Sequence, residues 1–210
     1  MAAFVVDESA VRTFKNLAAL EKWYAANHER ATELWIKIHK KDSGLATVTP
    51  TEAIDAALCW GWIDGIRKGF DEKSFLQRFT PRGKRSIWSK VNVANVERLR
   101  REGRMKPSGE AAVKAAQEDG RWERAYGGFN GDAFPADLLA AIEKSPKARA
   151  MFATLDAQNR YALGFRTHNM KTEAGRKKKI ETFVEMLARG ETIHPNSKRT
   201  PRPAKSSTRT

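Results

Sequence analysis

Apolar residues recur every three or four positions through "DESAVRTFKNLAALEKWYAAN", at Val11, Phe14, Leu17, Ala18, Leu20 and Tyr24. That spacing predicts an amphipathic helix of about five turns capped by Asp7. The period then changes from helical to two. In "ELWIKIHK", Leu34, Ile36 and Ile38 fall on one face and Trp35, Lys37 and His39 on the other, as expected of a half-buried strand. After the "KKDSG" turn, Thr49 and Glu52 have capping-box spacing with Pro50 at the first helical position, so "TPTEAIDAALCWG" predicts a helix stopped by Gly61. "WIDGI" and "SFLQRFT" have strand composition and are expected to pair around "RKGFDEK". From "NVANVERLRREG" onward every periodic stretch is helical, with boundaries at Asn92, Ser108, Ser145–Pro146, Asp156 and Thr172 and at glycines 103, 120 and 190.

The pattern predicts an α+β fold: a small N-terminal β-sheet with packed helices, then an all-helical module. The expected division is an α+β domain over 1–130, a helical module over 131–195 and a basic tail over 196–210. The break falls near "YGGFNGDAF". The tail has no apolar anchor and is expected to be disordered. No fixed-period repeat or sustained heptad occurs.

A formal charge of +14 on 210 residues changes the picture only once it is located. Residues 67–106 hold 13 basic and 4 acidic groups, and the tail holds 5 basic and none acidic. Such concentration attracts polyanions, though a solvated, high-pI surface has the same composition. The N-terminus lacks a basic region ahead of its short apolar patch, and no apolar run approaches a membrane span. With a single cysteine, a cytoplasmic location and no integral membrane segment are the expectation.

Catalytic and cofactor motifs are sought in vain. Cys59 stands on an apolar helix beside Leu58 and Trp60, where a thiol packs as a small hydrophobe. His28, His39, His168 and His194 lack metal-ligand spacing, and no phosphate-binding glycine loop or nucleophile elbow is present. No metal, cofactor or catalytic residue is expected. What remains is "ALCWGWIDGIRKGFDEKSFLQRFTPRGKRSIWSK". There Arg67, Lys68, Arg78, Arg82, Lys84, Arg85 and Lys90 interleave with Phe70, Phe79 and Trp88, downstream of Trp62 and Asp64. Guanidinium forks beside aromatic faces suit phosphate, carboxylate and stacked rings, and Ser89 and Asn92 mark a helix start whose free N–H groups favour an anion. Trp62, Asp64, Arg67, Arg78, Arg82, Arg85, Trp88, Ser89, Lys90 and Asn92 are therefore the candidate binding residues. The partner they suit is an anionic ligand or acidic protein, with nucleic acid among the candidates. Two other readings stay open: aromatic core anchors with a solvated basic rim, and an enzyme using Asp64 as acid/base with Arg78 or Arg82 as clamp. In "GRKKKIETFVEML", Lys177 to Lys179 project near a helix start, either for a purpose of their own or as a solvated face.

The blocks "ALCWGWIDG", "LQRFTPRGKRSIWSKVN", "LRREGRMKPSG", "AAQEDGRWERAY" and "LARGETIHP", in this order and spacing, resemble the bacterial YdeI/OmpD-associated family, whose members are also labelled bacteriocin-protection proteins. The resemblance runs from about Ala19 to Pro195 and implies an α+β unit plus a helical module. It also implies a part in withstanding bacteriocins or membrane-active peptides. It carries over no catalytic residues, and because the N-terminal residues read as no export signal, the expectation for this chain differs from that for members predicted to be periplasmic.

Overall fold

A computed structural model describes residue 6 and residues 10–129 and 134–196. The chain forms two compact units, residues 1–125 and 126–210. The architecture is α+β, with the whole sheet in the first unit.

In that unit β1 (Val11–Arg12) pairs in parallel with β2 (Leu34–His39), and α1 spans Leu17–Asn27. The expected five-turn helix is thus shortened to 11 residues. Val11 and Arg12 must be extended to bond β2, and the Asn16 side chain caps α1 by accepting the Ala19 N–H at 3.0 Å. Asp7 lies outside the described residues. Helix α2 (Pro50–Cys59) has its capping box: Thr49 Oγ1 accepts the Glu52 N–H at 3.2 Å, and Glu52 Oε2 accepts the Thr49 N–H at 2.8 Å.

β3 (Trp62–Asp71) and β4 (Ser74–Pro81) form a hairpin turned by Glu72 and Lys73 alone, so "RKGFD", expected to be connection, is strand. Two register shifts absorb the extra residues between Asp64 and Arg67 and between Gly69 and Asp71. The sheet order is β1-β2-β4-β3. Leu34, Ile36, Ile38 and Phe79 bury one face against α1 and α2. The other face is not open as alternation predicts. Trp35 is 1% and Leu76 2% exposed, and the Arg78 guanidinium lies 6.0 Å from the Trp35 ring.

Helices α3 (Lys90–Arg101) and α4 (Pro107–Glu118) complete the unit around Leu58, Cys59, Trp88, Val96, Leu99 and Val113. The "KPSG" stretch exists for a close approach. The Lys106 N–H donates to the Cys59 carbonyl at 3.1 Å, and a Cβ at Gly109 would collide with the carbonyls of Leu58 and Cys59. Gly61, at φ +75°, ends α2 in the left-handed region.

The second unit contains α5 (Ala136–Glu143), α6 (Pro146–Ala153), α7 (Ala157–His168) and α8 (Glu173–Ala188) around Leu138, Ile142, Leu163 and Leu187. Ser145, Asp156 and Thr172 cap the last three, as the sequence predicts. The "ETIHPN" segment is held against α7. Buried Asn159 donates to the His194 carbonyl at 3.2 Å and accepts its N–H at 3.0 Å, while Asn196 donates to the Thr154 carbonyl at 3.0 Å. Order therefore extends through Asn196, the first residue of the expected tail. The rest of that tail lies outside the described residues.

Candidate functional site

The candidate residues separate into three groups according to how β3, β4 and the following loop present them. Trp62 and Trp88 are each 1% exposed and serve as core anchors. Trp62 meets Trp23 and Tyr24 edge-to-face, and Trp88 meets Trp122 at 4.8 Å. Neither indole offers a face to a ligand.

The second group is cationic but already engaged. Arg67 donates from Nε to Gln77 Oε1 at 2.8 Å and stacks 4.4 Å from the Phe75 centroid. Two nitrogens of Arg78 reach Glu33 Oε2, at 2.7 and 2.9 Å. Asp64 stands opposite Phe79, and Arg78 is the next residue of β4, so Asp64 and Arg78 project from opposite faces of the sheet. An acid/base with an arginine clamp needs both on one side of a substrate. The shallow cleft of about 350 Å³ at the hairpin end is lined by Lys37, His39, Leu45, Asp71, Glu72 and Lys73 and includes neither of them.

The third group is the loop after β4. Arg82 lies over Trp88, its guanidinium carbon 3.5 Å from the ring centroid, and donates to the Ile87 carbonyl at 3.2 Å. The Arg82 N–H donates to the Gly61 carbonyl at 3.0 Å. Ser86 closes the tip by accepting the Gly83 N–H on its hydroxyl at 3.0 Å, and its carbonyl accepts from Arg121 at 2.8 Å. Ser89 caps α3 by accepting the Asn92 N–H at 3.1 Å, so part of that helix start is satisfied internally. On this braced scaffold Lys84, Arg85 and Lys90 are exposed and make no ion pair among the described residues.

Sequence reasoning missed a charge network that consumes much of the basic block. Asp55, 5% exposed on α2, receives one Arg98 nitrogen at 2.7 Å on each oxygen, with Arg104 at 3.8 Å. Arg104 also approaches Glu21 and Glu102, and Arg100 pairs with Glu97 and Glu110. An acid inside the apolar run "AIDAALC" was the available signal, since a buried carboxylate requires a partner. Cys59 is buried against this network, and burial pushes its thiol up to about 11. No cluster of three or more metal-ligating side chains occurs among the described residues, and no described helix is long and apolar enough to cross a membrane.

Two family models match the chain. Residues 133–190 match "Bacteriocin-protection, YdeI or OmpD-Associated", and residues 12–112 match a domain of unknown function, DUF8412. Three of the five blocks that carry the resemblance, "ALCWGWIDG", "LQRFTPRGKRSIWSKVN" and "LRREGRMKPSG", lie in or extend along the second match rather than the first. No curated protein and no solved structure matches the chain.

Proposed function

We propose that this protein, whose residues 133–190 belong to the bacteriocin-protection, YdeI or OmpD-associated family, is a non-enzymatic binding protein that engages an anionic partner through the loop between β4 and α3. The carrying observation is the contrast within the basic block. Arg78, Arg98, Arg100 and Arg104 are held by carboxylates, whereas Lys84, Arg85 and Lys90 are presented to solvent by a loop braced at Arg82, Ser86 and Trp88. Between Pro81 and Lys90 there are four cations and no acid. A pre-ordered cationic loop gains phosphate contacts without the cost of ordering flexible chain.

In this reading the protein acts in the cytoplasm, and its link to bacteriocin protection rests on the family description alone. Direct capture of cationic peptides is disfavoured by a +14 chain. Nucleic acid is the anion to test first. Fluorescence anisotropy of a labelled duplex across a salt series should show binding that weakens with salt. Lys84→Gln, Arg85→Gln and Lys90→Gln together should lower the log–log slope by roughly 2 to 3 units, at about 0.9 per phosphate contact. Wild-type affinity and slope in that triple variant overturn the reading.

A further inference from the structure

The second unit carries its own concentration of charge. Between Arg160 and Lys179 there are seven Lys and Arg and one acid, Glu173. The structure sorts the seven. Arg160 donates to the carbonyls of Phe152 and Leu155, and Arg176 clamps Asp137 through Nε at 2.6 Å and a second nitrogen at 2.8 Å. Lys179 lies 5.7 Å from the Phe183 ring. Arg166, Lys171, Lys177 and Lys178 remain, all exposed and without an ion pair among the described residues. They occupy the last turn of α7, the connection and the second turn of α8. A hydrogen bond of 2.9 Å from Arg176 to the Thr167 carbonyl locks the start of α8 against the end of α7. Three of the seven are therefore engaged within the unit, and the other four lie on the consecutive elements that form the α7–α8 elbow.

Helix α7, which ends at this elbow, also carries a ladder of aromatic rings. Tyr161, Phe165 and His168 share one face of α7 by their i, i+4, i+7 spacing. Tyr161 stacks on Phe165 at 5.5 Å and 20°, Phe129 meets both Tyr161 and His168, and Tyr126 meets Phe165 at 5.1 Å. Gly164 permits this, since a Cβ there would sit 2.5 Å from Phe129 Cγ. The ladder is not sealed. Tyr161 is 43% exposed, and His168 is exposed as well. A fixed ring edge-supported by its neighbours stacks a planar base at little ordering cost, and adjacent cations follow the phosphates of the same strand.

We propose that the α7–α8 elbow is a binding site for single-stranded nucleic acid, with Tyr161 and His168 as the stacking surface and Arg166, Lys171, Lys177 and Lys178 as phosphate contacts. The site is independent of the loop after β4 and stands on different residues.

The test uses the full chain carrying the Lys84, Arg85 and Lys90 substitutions, so that the first-unit loop contributes nothing to the signal. Anisotropy is read with a labelled oligo-dT and with an abasic oligomer of equal length. Arg166→Gln, Lys171→Gln, Lys177→Gln and Lys178→Gln together should lower the salt slope for oligo-dT by roughly 2 to 3 units, at about 0.7 per contact on a single strand. Tyr161→Leu should weaken oligo-dT about five- to tenfold and leave the abasic oligomer unchanged, and Tyr161→Trp should retain binding and so separate lost stacking from lost folding. Wild-type affinity and slope in the four-site variant overturn the proposal. So do equal losses for both oligomers in Tyr161→Leu, and so does failure of the parent chain to bind oligo-dT at all.

Discussion

The Arg82 guanidinium rests 3.5 Å above the centre of the Trp88 indole, and this one contact joins the end of β4 to the start of α3. It makes the exposed loop between them an ordered feature rather than a floppy one. Arg82→Ala removes the stacking partner and a donor to the Ile87 carbonyl, and should cost about 1–2 kcal/mol in urea denaturation. Arg82→Lys should recover only part of this, because an ammonium cannot lie flat on the ring and donate in the fork geometry as well.

Asp55 and Arg98 should respond asymmetrically to removal of either partner. Arg98→Ala leaves a carboxylate that is 5% exposed facing Arg104 alone at 3.8 Å, and should destabilise by roughly 3–5 kcal/mol. Asp55→Asn leaves Arg98, whose side chain is 36% exposed, free to rehydrate, so its loss should fall at or below the lower end of that range, about 2–3 kcal/mol. Equal losses in chemical denaturation would show that the buried acid is not the stressed member.

Gly109→Ala tests the seam between α2 and α4. Helix propensity alone favours alanine by about 0.5–1 kcal/mol, whereas the added Cβ meets the backbone carbonyls of Leu58 and Cys59, which cannot swing aside. Overpacking should win, giving a net loss of roughly 1–3 kcal/mol. A stabilised variant would mean that the helices are not in contact there.

Asp71 titrates well below the usual carboxylate range, at about 2, held down by the Ser74 hydroxyl and by Lys37 at 3.1 Å. A carboxylate depressed in the folded state contributes stability that is fully present above its unfolded pKa of about 3.9 and is lost as pH falls through the folded value. The Tm difference between the wild type and Asp71→Asn should therefore be constant from neutral pH down to about pH 5 and shrink from there toward pH 2. A difference that does not change over that window refutes the assignment.

Cys59 should react with a thiol reagent only as fast as the first unit opens. It is fully buried, and burial pushes its thiol up to about 11, so little thiolate exists near neutral pH. Rapid labelling of the native chain at pH 7 would contradict the packing around α2 and α4.

The chain's local chemistry specified most of its helices and the central strand β2. The capping residues Thr49, Ser145, Asp156 and Thr172 were legible because a cap is a bond between residues three positions apart, whereas α3 starts after Ser89 rather than at Asn92 and α4 at Pro107 rather than at Ser108. Leu34, Ile36 and Ile38 were legible because pleat alternation needs no partner to be recognised. So was the cationic character of the Arg82 to Lys90 loop, which is a count. What only the tertiary structure decided was pairing over long range. Val11 and Arg12 left the expected helix because β2, more than twenty residues later, offers them hydrogen bonds. The division of the basic block into bound and presented charges depended on Glu33 meeting Arg78 and Asp55 meeting Arg98 across 45 and 43 residues. In the second unit, which cations at the elbow are engaged depends on Asp137 pairing with Arg176 across 39 residues. Charge composition along a chain is local and additive, whereas neutralisation belongs to pairs that the fold brings together.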